Sequence, residues 1–293
     1  MRITNGIIQR SALANLQLNM RRVLDAQEKA ITGKRIHVAS DDPIGASQVM
    51  QTDGSLRALE QYQRNIASAT ARLNLEQSTL DQLTTLLERA KELGITQAGA
   101  NANASTRSIA KAEIDQLLTA AMQLGNQQHG GEFLYGGVQS TTVPFQSATP
   151  PFSATPPTGT RQTEISASQY LMTNHNGTEI FLDTNVLGAL HDLSTALGAN
   201  DLSGIQTALG ALDGAHDAVQ NLIGDLGARS SRLEVTASNL GALDTQLRTF
   251  KSLVADVDME KAVTELVSRQ TAYEAAMLAT SRVMGLTLAD YLR

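Results

Sequence analysis

Two neighbouring carboxylates, Asp41 and Asp42, are the first residues in the sequence whose types and spacing could do chemistry. A carboxylate pair serves general acid–base catalysis when an enclosed pocket splits the two pKa values. Here Pro43 follows, and Asp before Pro is a strong helix start. The carboxylate accepts an unpaired backbone N–H, and Pro has none to leave orphaned. Asp41, Asp42 and Pro43 are therefore expected as a helix-cap motif. The histidines, His37, His129, His175, His191 and His216, include no two at metal-ligand spacing with a third ligand nearby. His216 falls on an apolar seam and reads as a hydrogen-bonded seam histidine. Gly33-Lys34-Arg35 ends like a phosphate loop, but the upstream Gly and the following Ser or Thr are missing. Asn103-Ala104-Ser105 and Asn176-Gly177-Thr178 match the glycosylation pattern, which arises by chance in Ala/Ser/Thr/Asn-rich sequence.

Composition narrows the function further. The chain has no Cys, so a disulfide framework, a thiolate zinc site and a Cys nucleophile are excluded. Its net charge of −6 argues against nucleic acid as a partner. No apolar run has the length to span a bilayer, so no membrane insertion is expected. The first residues, Met1-Arg2-Ile3-Thr4-Asn5-Gly6, lack the apolar stretch of a secretory signal. That fits a cytoplasmic protein, or one exported without a cleaved signal. No nucleophile–base–orienter set and no phosphate cradle is present. The expectation is a protein that is not an enzyme and carries no cofactor or metal.

The elements that must position these residues are long helices. Hydrophobic residues make up 42% of the chain but aromatics only 3%, so the core must come from Ala, Leu, Val and Ile. That composition suits helices packed side by side through small knobs. From Leu59, alternating steps of three and four give Tyr62, Ile66, Ala69, Leu73, Glu76, Leu80, Leu83, Leu87 and Ala90. A further helix over about 106–127 would place Ala110, Ile114, Leu117, Ala121 and Leu124 on one face. The seam returns from Ile205 through Leu209, Leu212, His216, Val219, Ile223, Leu226, Ser230, Leu233, Ala237, Leu240, Asp244 and Leu247. Shorter stripes mark the two ends: Leu13, Leu16, Met20 and Val23 near the start, and Met259, Val263, Leu266, Gln270, Tyr273, Met277, Thr280 and Met284 near the end.

The middle of the chain is a different material. Five of the six prolines lie between Pro144 and Pro157, and six of the ten Phe and Tyr residues between Phe133 and Phe181. Phe133–Val138, Glu164–Met172 and Thr178–Leu182 read as strands, with a turn signal at residues 173–177. A tandem repeat, Ser147-Ala148-Thr149-Pro150-Pro151 and Ser153-Ala154-Thr155-Pro156-Pro157, reads as an extended surface loop. The expected fold is mainly α: a long antiparallel coiled-coil-like helical rod with an inserted β-rich domain. Residues 1–40 and 255–293 would be terminal helices, 41–130 and 188–254 the rod, and 131–187 the insertion.

The motifs, in their order, resemble a known family. Met1-Arg2-Ile3-Thr4, then Ile31-Thr32-Gly33-Lys34-Arg35-Ile36, then Ala39-Ser40-Asp41-Asp42-Pro43-Ile44-Gly45-Ala46, are similar to the opening of the flagellar hook–filament junction proteins, a branch of the flagellin family. Flagellins share a related Asp-Asp stretch. Three features favour the junction branch: Pro43 after the Asp pair, Phe133-Leu134-Tyr135-Gly136-Gly137 followed by Thr142-Val143-Pro144-Phe145, and the ending Gly285-Leu286-Thr287-Leu288-Ala289-Asp290-Tyr291-Leu292-Arg293. The resemblance covers roughly 1–145 and 200–293, and the proline repeat departs from it.

The resemblance implies a structural subunit that forms a homo-oligomeric ring between hook and filament. Its implied partners are the first hook-associated protein on the hook side, flagellin on the filament side, and an export chaperone that escorts it to the flagellar export apparatus. Flagellin itself is the nearest alternative, and a cytoplasmic coiled-coil scaffold a further one. Isolated short helices are marginal in water, so the terminal segments are expected to be largely disordered in the monomer and to fold on assembly. The residues expected at the assembly interface are Leu13, Leu16, Met20, Val23, Leu266, Tyr273, Met277 and Met284.

Overall fold

The computed structural model describes the backbone of residues 2–291 and, within them, the side chains of Ile7 and of residues 10–282, except Ile8 and Gln9. In chain order the elements are helix α1 (Arg2–Thr32), helix α2 (Pro43–Ala98), helix α3 (Ala104–Gly125), strands β1 (Gln128–His129), β2 (Glu132–Phe133), β3 (Gln162–Ser166) and β4 (Gln169–Met172), a single π-helical turn (Thr178–Leu182), helix α4 (Val186–Gly198), helix α5 (Leu202–Ala255) and helix α6 (Met259–Tyr291). The fold is mainly α with a small strand-containing region. The chain forms two compact units, Met1–Ala58 with Ala242–Arg293, and Leu59–Gly241. The division cuts α2 and α5 rather than falling at a loop.

The second unit is built on heptads. On α2, Leu59, Ile66, Leu73, Leu80 and Leu87 recur every seventh residue, with Ala69, Glu76, Leu83 and Ala90 between them, and all are buried. Tyr62 alone of the expected seam is only half-buried. On α5, Ile205, Leu212, Val219, Leu226, Leu233 and Leu240 repeat the same spacing and are also buried. The partner row on α5 is alanine: Ala208 and Ala215 lie inside, while Leu209 and His216 sit half-buried at its margin. The helices run antiparallel, since Lys91 pairs with Asp213 at 2.5 Å while Glu88 lies 4.0 Å from His216. A β-carbon at Gly94 would stand 2.7 Å from a Leu209 methyl, so glycine permits the closest approach there.

Helix α3 starts on a reciprocal cap. Asn103 accepts from the Ser105 and Thr106 N–H groups, and Thr106 Oγ1 accepts from Asn103 N–H. Its buried stripe is Arg107, Ala110, Ile114, Leu118, Ala121 and Gly125. The expected face is corrected by one residue, since Leu117 and Leu124 are half-buried. The physical reason is α4, a helix the sequence reading did not separate from the rod. It packs on α3 and draws the 114–118–121–125 stripe inward.

Between α3 and α4 lie two antiparallel hairpins. β1 and β2 pair Gln128 with Phe133 and His129 with Glu132. Gly130 and Gly131 form the two-residue turn, both at positive φ (63° and 83°), which glycine adopts without strain. β3 and β4 pair from Gln162–Met172 to Ser166–Gln169, with an irregularity between Glu164 and Ser166. Two strand expectations are corrected. Phe133–Val138 contributes only Phe133, and Thr178–Leu182 is a π-helical turn. In the latter, Asn176 Oδ1 accepts from the Glu179 N–H and the Asn176 carbonyl from the Ile180 N–H, so the turn signal starts a helical turn instead of a hairpin. The hydrophobic centre is aromatic: Tyr135 and Phe145 pack on Phe181 with ring centroids 5.6 and 5.1 Å away.

One polar chain crosses this core. Glu76, on the α2 seam, is fully buried, and its Oε1 accepts from His175 Nδ1 at 2.6 Å. His175 Nε2 lies 3.1 Å from Asp225 Oδ2 on α5, and Asp225 is held in turn by Arg229 Nε at 2.6 Å. Both ring nitrogens face carboxylates on opposite sides, an arrangement that joins elements and leaves no nitrogen for a metal. Among the described residues no group of three or more His, Asp or Glu side chains is placed to hold a metal ion.

Candidate assembly surface

In the first unit the chain just past α1 meets the chain just before α6: Val257 N–H donates to the Gly33 carbonyl at 2.9 Å. The two helices then pack along each other, antiparallel. Among their described residues the buried ones are small, Ala26 on α1 and Ala262 on α6. Small residues at a helix contact bring the axes close and leave larger side chains on the flanks. At 3.6 residues per turn, Leu13, Met20, Leu24 and Ile31 share one face of α1. That face is open: Leu13 is 45% exposed, Met20 41%, Leu24 50% and Ile31 74%.

The residues expected at the interface thus divide. Leu16 and Val23 on α1, and Leu266 and Tyr273 on α6, are half-buried beside the helix contact. Leu13, Met20 and Met277 face outward. Met284 lies in α6, but its side chain falls outside the described residues. The structure adds to the exposed set Ile7, Leu18, Leu24 and Ile31 on α1, and Val267 and Leu278 on α6. The seven-residue spacing from Leu13 to Met20, extended by four and then seven, would have found Leu24 and Ile31. Large apolar side chains left open on one helix pair form an apolar patch of the kind found at contact surfaces.

The helix pair is attached through two short linkers. Asp42 Oδ1 accepts from Gly45 N–H at 2.9 Å, so it serves as the N-cap of α2, where Pro43 is the first residue. Asp41 does not take an N–H of α2. Its Oδ2 accepts from the His37 and Val38 N–H groups at 3.0 and 3.1 Å and folds the loop before the helix. The Gly45 N–H and then the Arg35 guanidinium hold the Asp42 carboxyl below its ordinary pKa; the Val38 and His37 N–H groups do the same for Asp41. Across the linkers, Arg35 N–H donates to the Ala255 carbonyl at 2.7 Å, and Lys34 pairs with Asp256 at 2.5 Å. Among the described residues no helix is long and apolar enough to cross a membrane.

Residues 3–140 match the bacterial flagellin N-terminal helical region, and residues 209–292 the bacterial flagellin C-terminal helical region. The chain is 26% identical over 306 residues to flagellar hook-associated protein 3 of Escherichia coli (strain K12), covering 93% of this chain and 96% of that protein. It is 26% identical over 281 residues to a flagellin of Halalkalibacterium halodurans, covering 94% of each. The crystal structure of the flagellar junction protein FlgL from Legionella pneumophila shares the fold, with a TM-score of 0.55 at 13% identity over 73% of this chain and all of that one. With both of its helical ends matched in order around an unmatched middle, the chain belongs to the bacterial flagellin family.

Proposed function

We propose that the chain is a structural subunit of the bacterial flagellum, seated at the junction between hook and filament, where it presents a surface on which flagellin polymerises. One observation carries this reading. The α1/α6 pair leaves large aliphatic side chains open, along one face of α1 from Leu13 to Ile31 and at Met259, Val263, Val267 and Met277 on α6. Copies of the chain cover these faces in a ring. The first hook-associated protein adjoins it on one side and flagellin on the other, and a chaperone delivers it to the flagellar export apparatus. No catalytic step is assigned to it. The near end-to-end similarity to hook-associated protein 3, with the fold shared with a solved flagellar junction protein, supports the junction.

Helices with so little buried surface depend on partners for their stability. The α1/α6 pair therefore becomes fully ordered only as copies assemble, and ordering costs entropy that the new interface offsets. Slow amide exchange throughout both helices in the isolated monomer would count against this. Similarity to flagellin at the same level of identity keeps the filament subunit as a second reading. Deleting the gene separates the two. Electron microscopy should show hooks without filaments, and an immunoblot should find flagellin lost to the medium. Intact filaments would refute the junction role, and loss of flagellin from both cell and medium would identify the chain as flagellin.

A further inference from the structure

The two linkers of the first unit, residues 33–42 and 256–258, contain no buried side chain. Ile36 rests against Gly45 of α2; polar contacts hold the remainder, and Arg35 makes four of these. Its backbone N–H takes the Ala255 carbonyl. Its Nε and Nη2 both donate to the Val254 carbonyl, at 3.2 and 2.7 Å, and Nη2 also reaches Asp42 Oδ2 at 3.0 Å. Val254 and Ala255 close α5, so their carbonyls are among those a helix leaves without partners. Asp42 caps α2. One guanidinium therefore sits on the negative end of α5, which favours a cation, and also pairs with the carboxylate that serves the positive end of α2.

We propose that Arg35 is the positioning residue of a joint: shared between the Val254 carbonyl and Asp42, it fixes the direction in which the α1/α6 pair leaves the Pro43 end of α2 and the Ala255 end of α5. Surface ion pairs and exposed hydrogen bonds are individually weak. A joint made largely of them opens locally, well before the helices on either side unfold. Lys34–Asp256 and the Val257–Gly33 hydrogen bond keep the two linkers beside each other when Arg35 lets go. The pair then re-aims without detaching, which gives the open apolar face more than one setting. This inference does not rest on the place of the chain in the flagellum.

The chain has no cysteine, so Gln27→Cys on α1 and Ser47→Cys on α2 can carry a pair of spin labels on the full-length protein. The unaltered joint should give a narrow distance distribution with one dominant peak, since residues 27 and 47 lie in the turns next to the joint and not in the outer part of α1. Arg35→Ala should broaden it roughly twofold while helicity and the unfolding midpoint stay unchanged. Arg35→Lys, which keeps the charge but not the fork, should restore only part of the narrow distribution. Asp42→Asn keeps an acceptor for Gly45 and loses the charge, and should broaden the distribution less than Arg35→Ala. A distribution unmoved by both Arg35→Ala and Asp42→Asn would overturn the proposal. So would broadening that comes only with loss of helicity, because Arg35 would then serve folding and not direction.

Discussion

The α2/α5 seam of the second unit and the α1/α6 pair of the first use the same residue types at the same helical spacing. On the seam, Leu73, Leu80, Leu83, Leu87, Leu212, Leu226 and Leu233 are at most 1% exposed. On the terminal pair, Leu13, Leu24 and Met277 are between 44% and 50% exposed. The difference lies in what surrounds each pair. Around the seam stand further elements: α3 reaches α2 through Glu113 and Arg89, α4 lies against Gly94 of α2 and Gly204 of α5, and Tyr135 of the aromatic knot reaches Thr79. The terminal helices have each other, and two helices cannot cover two wide apolar stripes. An identical pattern is thus core where the chain supplies the covering layer and surface where it does not.

The comparison can be broken most sharply at the polar crossing of the seam. His175→Leu leaves the fully buried Glu76 with a backbone N–H at 3.3 Å but no imidazole, and should cost about 3–5 kcal/mol in urea unfolding of the second unit. Adding Glu76→Leu should recover most of that loss, because two apolar side chains then meet. A single variant of near-wild-type stability would show that the crossing does not hold the seam.

Paired truncations sharpen it next. Leu83→Ala should destabilise the second unit by about 2–5 kcal/mol, whereas Leu13→Ala should change the unfolding of the monomer by no more than roughly 0.5 kcal/mol. Equal costs at the two positions would erase the distinction between core and open face. A smaller effect on the monomer, with a total effect on assembly, is expected of Met277→Glu. Unfolding should stay within about 0.5 kcal/mol of the parent, while junctions fail to form in cells. If that variant melts the monomer, Met277 belongs to the core.

The gentlest test is acid. Asp42 is held below its ordinary pKa by the Gly45 N–H and then Arg35, and Asp256 by Lys34 and then Ser252. A carboxylate with a depressed pKa in the folded state stabilises fully above its unfolded value near 4 and loses that contribution as pH falls through the folded value. The linkers should therefore loosen reversibly below about pH 4, before the leucine seam does. Spin-label distances between α1 and α2 would follow it. Loosening as pH rises from neutrality would contradict the sign.

Much of this was legible in the residues. Heptads named the α2 seam from Leu59 to Ala90 almost without error, because burial on a long straight helix follows local periodicity. Asp42-Pro43 named a helix start for the same reason: a cap is a contact between near neighbours in sequence. The family, too, could be read from the order of its motifs.

What required the tertiary structure was every outcome set by distant residues. Glu76 was visible as an interruption of the seam, but its partner His175 lies 99 residues away. The face of α3 turned by one residue because α4 packs there. Thr178–Leu182 became a helical turn as Asn176 accepts from the Glu179 and Ile180 N–H groups, where β propensity pointed to a strand. Which of Leu13, Leu16, Met20 and Val23 lie open was settled by the close, alanine-lined approach of α6. Periodicity fixes which side chains share a face, since helix geometry is local. Whether that face is core, joint or contact surface depends on what packs against it, and that is decided by the whole chain.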